Sequence, residues 1–123
     1  MERFNPSSSH AKRAVQAWQI LVSAAMNRQT IRYEQLARHM YQRKTTGLIL
    51  AQILGRISRL CRANGLPALN VLVVNEQGLP GHGYPATSEQ TADQEREAVY
   101  KIDWYNIVPP MEADLPRWEE AAE

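Results

Sequence analysis

Arg56, Arg59 and Arg62 recur at three-residue intervals, and no Asp or Glu lies between Gly47 and Ala63. Guanidinium groups in such a row can pair with phosphates or bond guanine edges in a bidentate manner. Gln52 stands one helical turn before Arg56, and a glutamine amide matches adenine. Arg43 and Lys44 precede the same stretch and suit contacts to a nucleic-acid backbone. The competing expectation is an ordinary solvated helix face.

Other chemistry finds little support. His10, His39 and His82 lie far apart and lack metal-ligand spacing. Cys61 is the sole cysteine, which excludes an internal disulfide and a cysteine-based zinc site. Glu95, Glu97 and Asp103 suit a helix start better than acid chemistry. No Ser/His/Asp set, phosphate-binding glycine loop or Cys/His pair is present. The expectation is a protein with no catalytic residues, no cofactor and no metal.

The elements that must position the arginines can be read from apolar spacing. Leu50, Ile53, Leu54, Ile57, Leu60 and Cys61 mark one face of a helix, with Gln52, Arg56, Arg59 and Arg62 expected opposite. Thr45 or Thr46 would cap it, and Asn64-Gly65 before Pro67 would stop it. Upstream, Ser8 or Ser9 can cap a helix running to about Asn27, with Ala14, Val15, Trp18, Leu21, Val22, Ala25 and Met26 inward. Residues 1–7 read as a loose arm. A short extended link at 30–32 leads to a second helix over 33–40.

Downstream, Leu69 to Val74 reads as a buried strand. Gly78, Pro80, Gly81 and Gly83 suit the tip of a hairpin, and Tyr84 begins a returning strand. Thr91 and Gln94 fit a capping box for a helix over about 92–98, followed by a strand through Ile107. Pro109-Pro110 ends that strand, and the acidic tail has Leu115 and Trp118 as anchors.

The expected fold class is α+β: a winged helix-turn-helix core with an acidic C-terminal extension. Residues 1–86 form the winged-helix domain with its arm, and residues 87–123 pack on it as an extension. A chain of 123 residues suits one core, and its 44% hydrophobic content is ordinary for a soluble protein. No apolar run reaches a membrane span and the start does not resemble a signal peptide, so a cytoplasmic location is expected.

The net charge of +1 hides a division. Residues 1–72 hold 11 Lys/Arg against 2 Asp/Glu, whereas residues 73–123 hold 3 against 11. A basic half attracts polyanions. The two halves could also neutralise each other, with the acidic tail covering the basic helix.

Thr30-Ile31-Arg32-Tyr33-Glu34-Gln35-Leu36-Ala37 resembles the entry to the helix-turn-helix of the O6-alkylguanine-DNA alkyltransferases and alkyltransferase-like proteins. Val73-Val74-Asn75-Glu76-Gln77-Gly78 is similar to the start of their wing, and Ala51-Gln52-Ile53-Leu54-Gly55 to their recognition-helix motif. The likeness covers residues 30–84. It implies that Tyr33 presses on a target phosphate and that Gln52 stands where an arginine fills the vacated base stack. The alkyl-acceptor motif is absent, with Leu69-Asn70-Val71-Leu72 in its place, and alkyl transfer without a thiolate is excluded there.

The leading expectation is therefore a DNA-binding regulator holding double-stranded DNA through Tyr33, Arg43, Lys44, Gln52, Arg56, Arg59 and Arg62. The alternative is a protein-interaction module that uses Tyr100, Trp104, Tyr105 and Trp118 to hold a protein partner or a second copy of the chain. No membrane is expected as a partner.

Overall fold

The computed structural model describes residues 1–42, 47–78 and 89–116. Ser9 starts the first helix, α1 (His10–Met26), its Oγ accepting the Lys12 N–H at 3.2 Å. At the other end Gln29 N–H returns to the Ala24 carbonyl and Arg28 N–H to that of Ala25, with Arg28 at φ +52°. This is a Schellman closure carried by an arginine rather than glycine. The side chain of Arg28 is engaged too: it meets Glu97 at 3.1 Å and lies over the Tyr100 ring.

A two-residue strand, β1 (Ile31–Arg32), leads directly into α2 (Tyr33–Tyr41). The third helix, α3 (Gly47–Ala63), ends as its sequence requires. Gly65 adopts φ +67°, Leu66 N–H reaches the Cys61 carbonyl at 2.8 Å, and Gly65 N–H reaches that of Arg62 at 3.2 Å.

The strand expected from Leu69 to Val74 is corrected. Leu69–Leu72 forms a 3-10 turn, and only Val73–Val74 is strand, β2, pairing parallel with β1 through Ile31↔Val73 and Arg32↔Val74. Every residue from Ala68 to Val74 is buried. An apolar run buried on all sides carries no period, so pattern alone cannot separate turn from strand. The hairpin tip and the returning strand at Tyr84 lie outside the described residues, as do the caps expected at Thr45 and Thr46.

The last helix, α4 (Glu89–Tyr100), starts earlier than expected and runs further, which places Thr91 inside its first turn rather than at its cap. The strand expected through Ile107 is not formed. Trp104–Asn106 is a 3-10 turn, because the Trp104 indole N–H folds back to the Val99 carbonyl at 2.8 Å. Another 3-10 turn spans Glu112–Asp114 in the expected acidic tail.

The fold is thus mostly helical with a small parallel sheet, within the broad α+β class. One cluster of buried side chains joins both halves: Trp18, Leu21, Ile53, Leu54 and Ile57 share it with Ala92, Val99, Trp104 and Leu115. Trp18 and Trp104 meet edge to face, 5.7 Å apart.

The N-terminal arm is tied rather than loose. Arg13 is 3% exposed and donates to the Met40 carbonyl, to Gln16 Oε1 at 2.8 Å and to the Asn5 carbonyl at 3.0 Å. Its guanidinium also lies over the rings of Tyr41 and Phe4. The Met40 carbonyl belongs to the last turn of α2, where a cation is favoured. One buried cation therefore joins α1, the end of α2 and the arm. Replacing Arg13 with Ala should lower unfolding free energy by about 3 kcal/mol, and Arg13→Lys should recover less than half of that. Urea denaturation that shows both variants within ~0.5 kcal/mol of the parent would contradict this clamp.

Candidate nucleic-acid interface

The α3 helix is buried around much more than the stripe its sequence displays. Leu50, Ile53, Leu54, Ile57 and Cys61 face the core, and α1 is its main support. Cys61 is fully buried, and burial pushes its thiol up to about 11, against a backbone hydrogen bond from Leu69.

Arg56 was expected on the free side, and this is corrected. It is 8% exposed, and its Nη1 donates to the Leu115 carbonyl at 2.8 Å. At about 100° per residue, Arg56 sits only about 60° from Ile53, on the shoulder of the apolar stripe. The C-terminal segment crosses that shoulder. Leu115 is fully buried, and Glu112 Oε1 accepts a weak 3.5 Å bond from Ser9 at the start of α1. Helical spacing could not foresee cover from a segment 59 residues away.

What remains outward on α3 is narrower and better defined. Leu48, Ala51, Gln52, Gly55, Arg59 and Arg62 fall within about 100° of arc. Leu48 is 84% exposed, Arg62 is exposed, and the other four are half-buried. Leu48 was not among the residues expected at the site, and Ala51 and Gly55 entered only through the resemblance, although the spacing of all three from Gln52, Arg59 and Arg62 is helical. Gln52 Oε1 and Arg59 Nε are buried and have no hydrogen-bond partner among the described residues.

Four other cations are paired, whereas Arg3, Arg32 and Lys101 take part in no ion pair among the described residues. Lys12 pairs with Glu2, Arg28 with Glu97, Arg38 with Glu34 and Arg96 with Asp93. Arg59 and Arg62 take part in no ion pair among the described residues. Tyr33 opens α2, half-buried against the core, and is not part of the α3 face. Arg43, Lys44 and His82 lie outside the described residues.

The alternative anchors divide. Trp104 is 2% exposed and is held by Val99 and Trp18, so it is a core residue and not a docking group. Tyr100 is half-buried beneath Arg28. Tyr105 is exposed, and Trp118 lies outside the described residues. Among the described residues, no His/Cys/Asp/Glu group could hold a metal ion and no helix is long and apolar enough to cross a membrane.

Comparison with protein-family models, curated proteins and solved structures found no match to this chain. The functional reading therefore rests on the geometry of its own residues.

That geometry separates two arginines that look equivalent in sequence. Arg56→Ala should lower stability by about 2 kcal/mol, through loss of a buried charge-assisted bond, whereas Arg62→Ala should change it by less than ~0.5 kcal/mol. Equal losses for the two variants in chemical denaturation would contradict the assignment of Arg56 to packing.

Proposed function

We propose that the chain is a non-catalytic protein of winged helix-turn-helix type that lays the outward face of α3 against double-stranded DNA. One observation carries this reading. Half-buried Arg59 and exposed Arg62 share the outward sector of a helix without acidic residues and take part in no ion pair among the described residues, whereas the other exposed cations without one, Arg3, Arg32 and Lys101, lie singly on separate segments.

The shape of the face supports it. Ala51 and Gly55 put little bulk between Gln52 and the two arginines, so a groove wall can approach the helix closely. A helix of 17 residues spans about 25 Å and fits a major groove about 12 Å wide. Gln52, whose Oε1 is buried in the free chain, turns outward in this reading to offer its amide to a base edge, Leu48 offers an apolar surface to a thymine methyl, and the arginines reach phosphate or guanine. The order α1, β1, α2, α3, β2 is that of a winged helix up to the wing.

In this reading Arg43 and Lys44 touch the nucleic-acid backbone just before α3, and Tyr33 meets a phosphate from the start of α2. The resemblance of residues 30–84 to the alkyltransferase winged helix points the same way. At the place of the acceptor thiol stands Asn70, 2% exposed, which cannot take an alkyl group. Arg56 is left out of the contact set.

Fluorescence anisotropy on a random-sequence duplex tests this directly. Binding should weaken steeply from 50 to 200 mM salt as counterions are released. Arg59→Ala combined with Arg62→Ala should weaken binding at least tenfold and reduce the log–log salt slope by about one for each phosphate that is no longer neutralised. No binding at low salt, or affinity unchanged in the double variant, would overturn the proposal.

A further inference from the structure

From Trp104 to Pro110, burial repeats every third residue. Trp104 and Pro110 are buried, and Ile107 between them is half-buried against the core. The next residue in each triplet is apolar and faces solvent: Tyr105 is 65% exposed, Val108 88% and Met111 74%. Asn106, Pro109 and Glu112 complete the triplets and are exposed as well.

The backbone explains the period. Residues 104–106 form a 3-10 turn, which has three residues per turn. Beyond it Ile107 (φ −96°, ψ 131°) and Met111 (φ −101°, ψ 170°) are extended. Val108 and Pro109 each precede a proline and are thereby biased to the same region, and the proline rings fix φ near −65°. A polyproline II ribbon also has three residues per turn. From Ile107 to Met111 the segment is thus an extended ribbon with Ile107 and Pro110 toward the core and Val108 and Met111 exposed, and the 3-10 turn before it carries the exposed Tyr105.

We propose that Tyr105, Val108 and Met111 form a docking stripe for a partner protein with a groove lined by aromatic side chains and rimmed by Lys or Arg. Grooves of that kind bind threefold extended ribbons because little ordering entropy is lost. The charge around the stripe selects the rim. From Asp103 to Asp114 there are three acidic residues and no Lys or Arg, and all three acids are exposed. Such a surface repels nucleic acid and anionic lipid, and two-fold pairing of two copies would bring like charges together. The stripe is separate from the α3 face, so it stands whether or not α3 binds DNA.

Calorimetric titration of the full-length protein into purified SH3 domains tests the stripe. One set of domains has Lys or Arg around its aromatic groove, and a second set has acidic rims. The expected result is saturable one-to-one binding to members of the basic-rimmed set, at least tenfold tighter than to any acid-rimmed domain. Val108→Asp combined with Met111→Asp should abolish it with an unchanged circular dichroism spectrum, because both side chains are exposed. Arg59→Ala should leave it intact. Absence of saturation with the basic-rimmed set, equal affinity for both sets, or binding retained in the Val108/Met111 variant would overturn the proposal. Light scattering that shows a dimer in the parent protein and a monomer in that variant would assign the stripe to a second copy of this chain and overturn it as well.

Discussion

The structure depends on how much of α3 has to be covered. Its apolar stripe packs on α1, and its shoulder carries Arg56, a cation that water would otherwise solvate. Burying such a group without a partner is costly, so the chain must bring an acceptor to it. The Leu115 carbonyl meets that demand, and with it the C-terminal segment is drawn across the helix bundle. Covering one shoulder of α3 defines the other as its free face.

Arg13 solves the same problem for the N-terminal arm and α2. It gathers carbonyls from the arm and from the last turn of α2, where the helix dipole favours a positive charge. Two buried arginines thus act as joints between segments distant in sequence. The division of charge along the chain acquires a more specific meaning as a result. Part of the basic half is structural, part is neutralised by ion pairs such as Arg28–Glu97, and Arg3, Arg32, Arg59 and Arg62 stay without a carboxylate partner among the described residues. The acidic half closes the core through Val99, Trp104 and Leu115, with Glu95 accepting the Ala68 N–H at 3.2 Å while Glu76, Asp93, Glu97, Asp103, Glu112 and Asp114 are exposed.

The parts of the fold that were legible in the sequence are those fixed by local physics. The Ser9 cap, the helical stripes and the left-handed stop at Gly65 depend on residues within a few positions of each other. Leu69–Leu72 was not legible, because uniform burial erases the period that separates a turn from a strand. Trp104 read as part of a strand, and its indole bond to Val99 closes a turn instead. For the candidate site, the row of Gln52, Arg59 and Arg62 was visible, whereas the fate of Arg56 depended on Leu115. The stripe at Tyr105, Val108 and Met111 was hidden for a different reason. A period of three belongs to neither of the repeats, 3.6 and 2, sought in helices and strands.

In the proposed mode of binding, α3 presents a single narrow face to DNA while Arg56 holds the C-terminal segment in place. The most direct measurement is a titration of isotope-labelled protein with a short duplex, followed residue by residue by NMR. The account predicts that resonances of Leu48, Ala51, Gln52, Gly55, Arg59 and Arg62 shift together, while the Arg56 side chain and the Leu115 amide stay unmoved. Shifts centred on the 105–111 ribbon, or release of Leu115 as DNA binds, would contradict it.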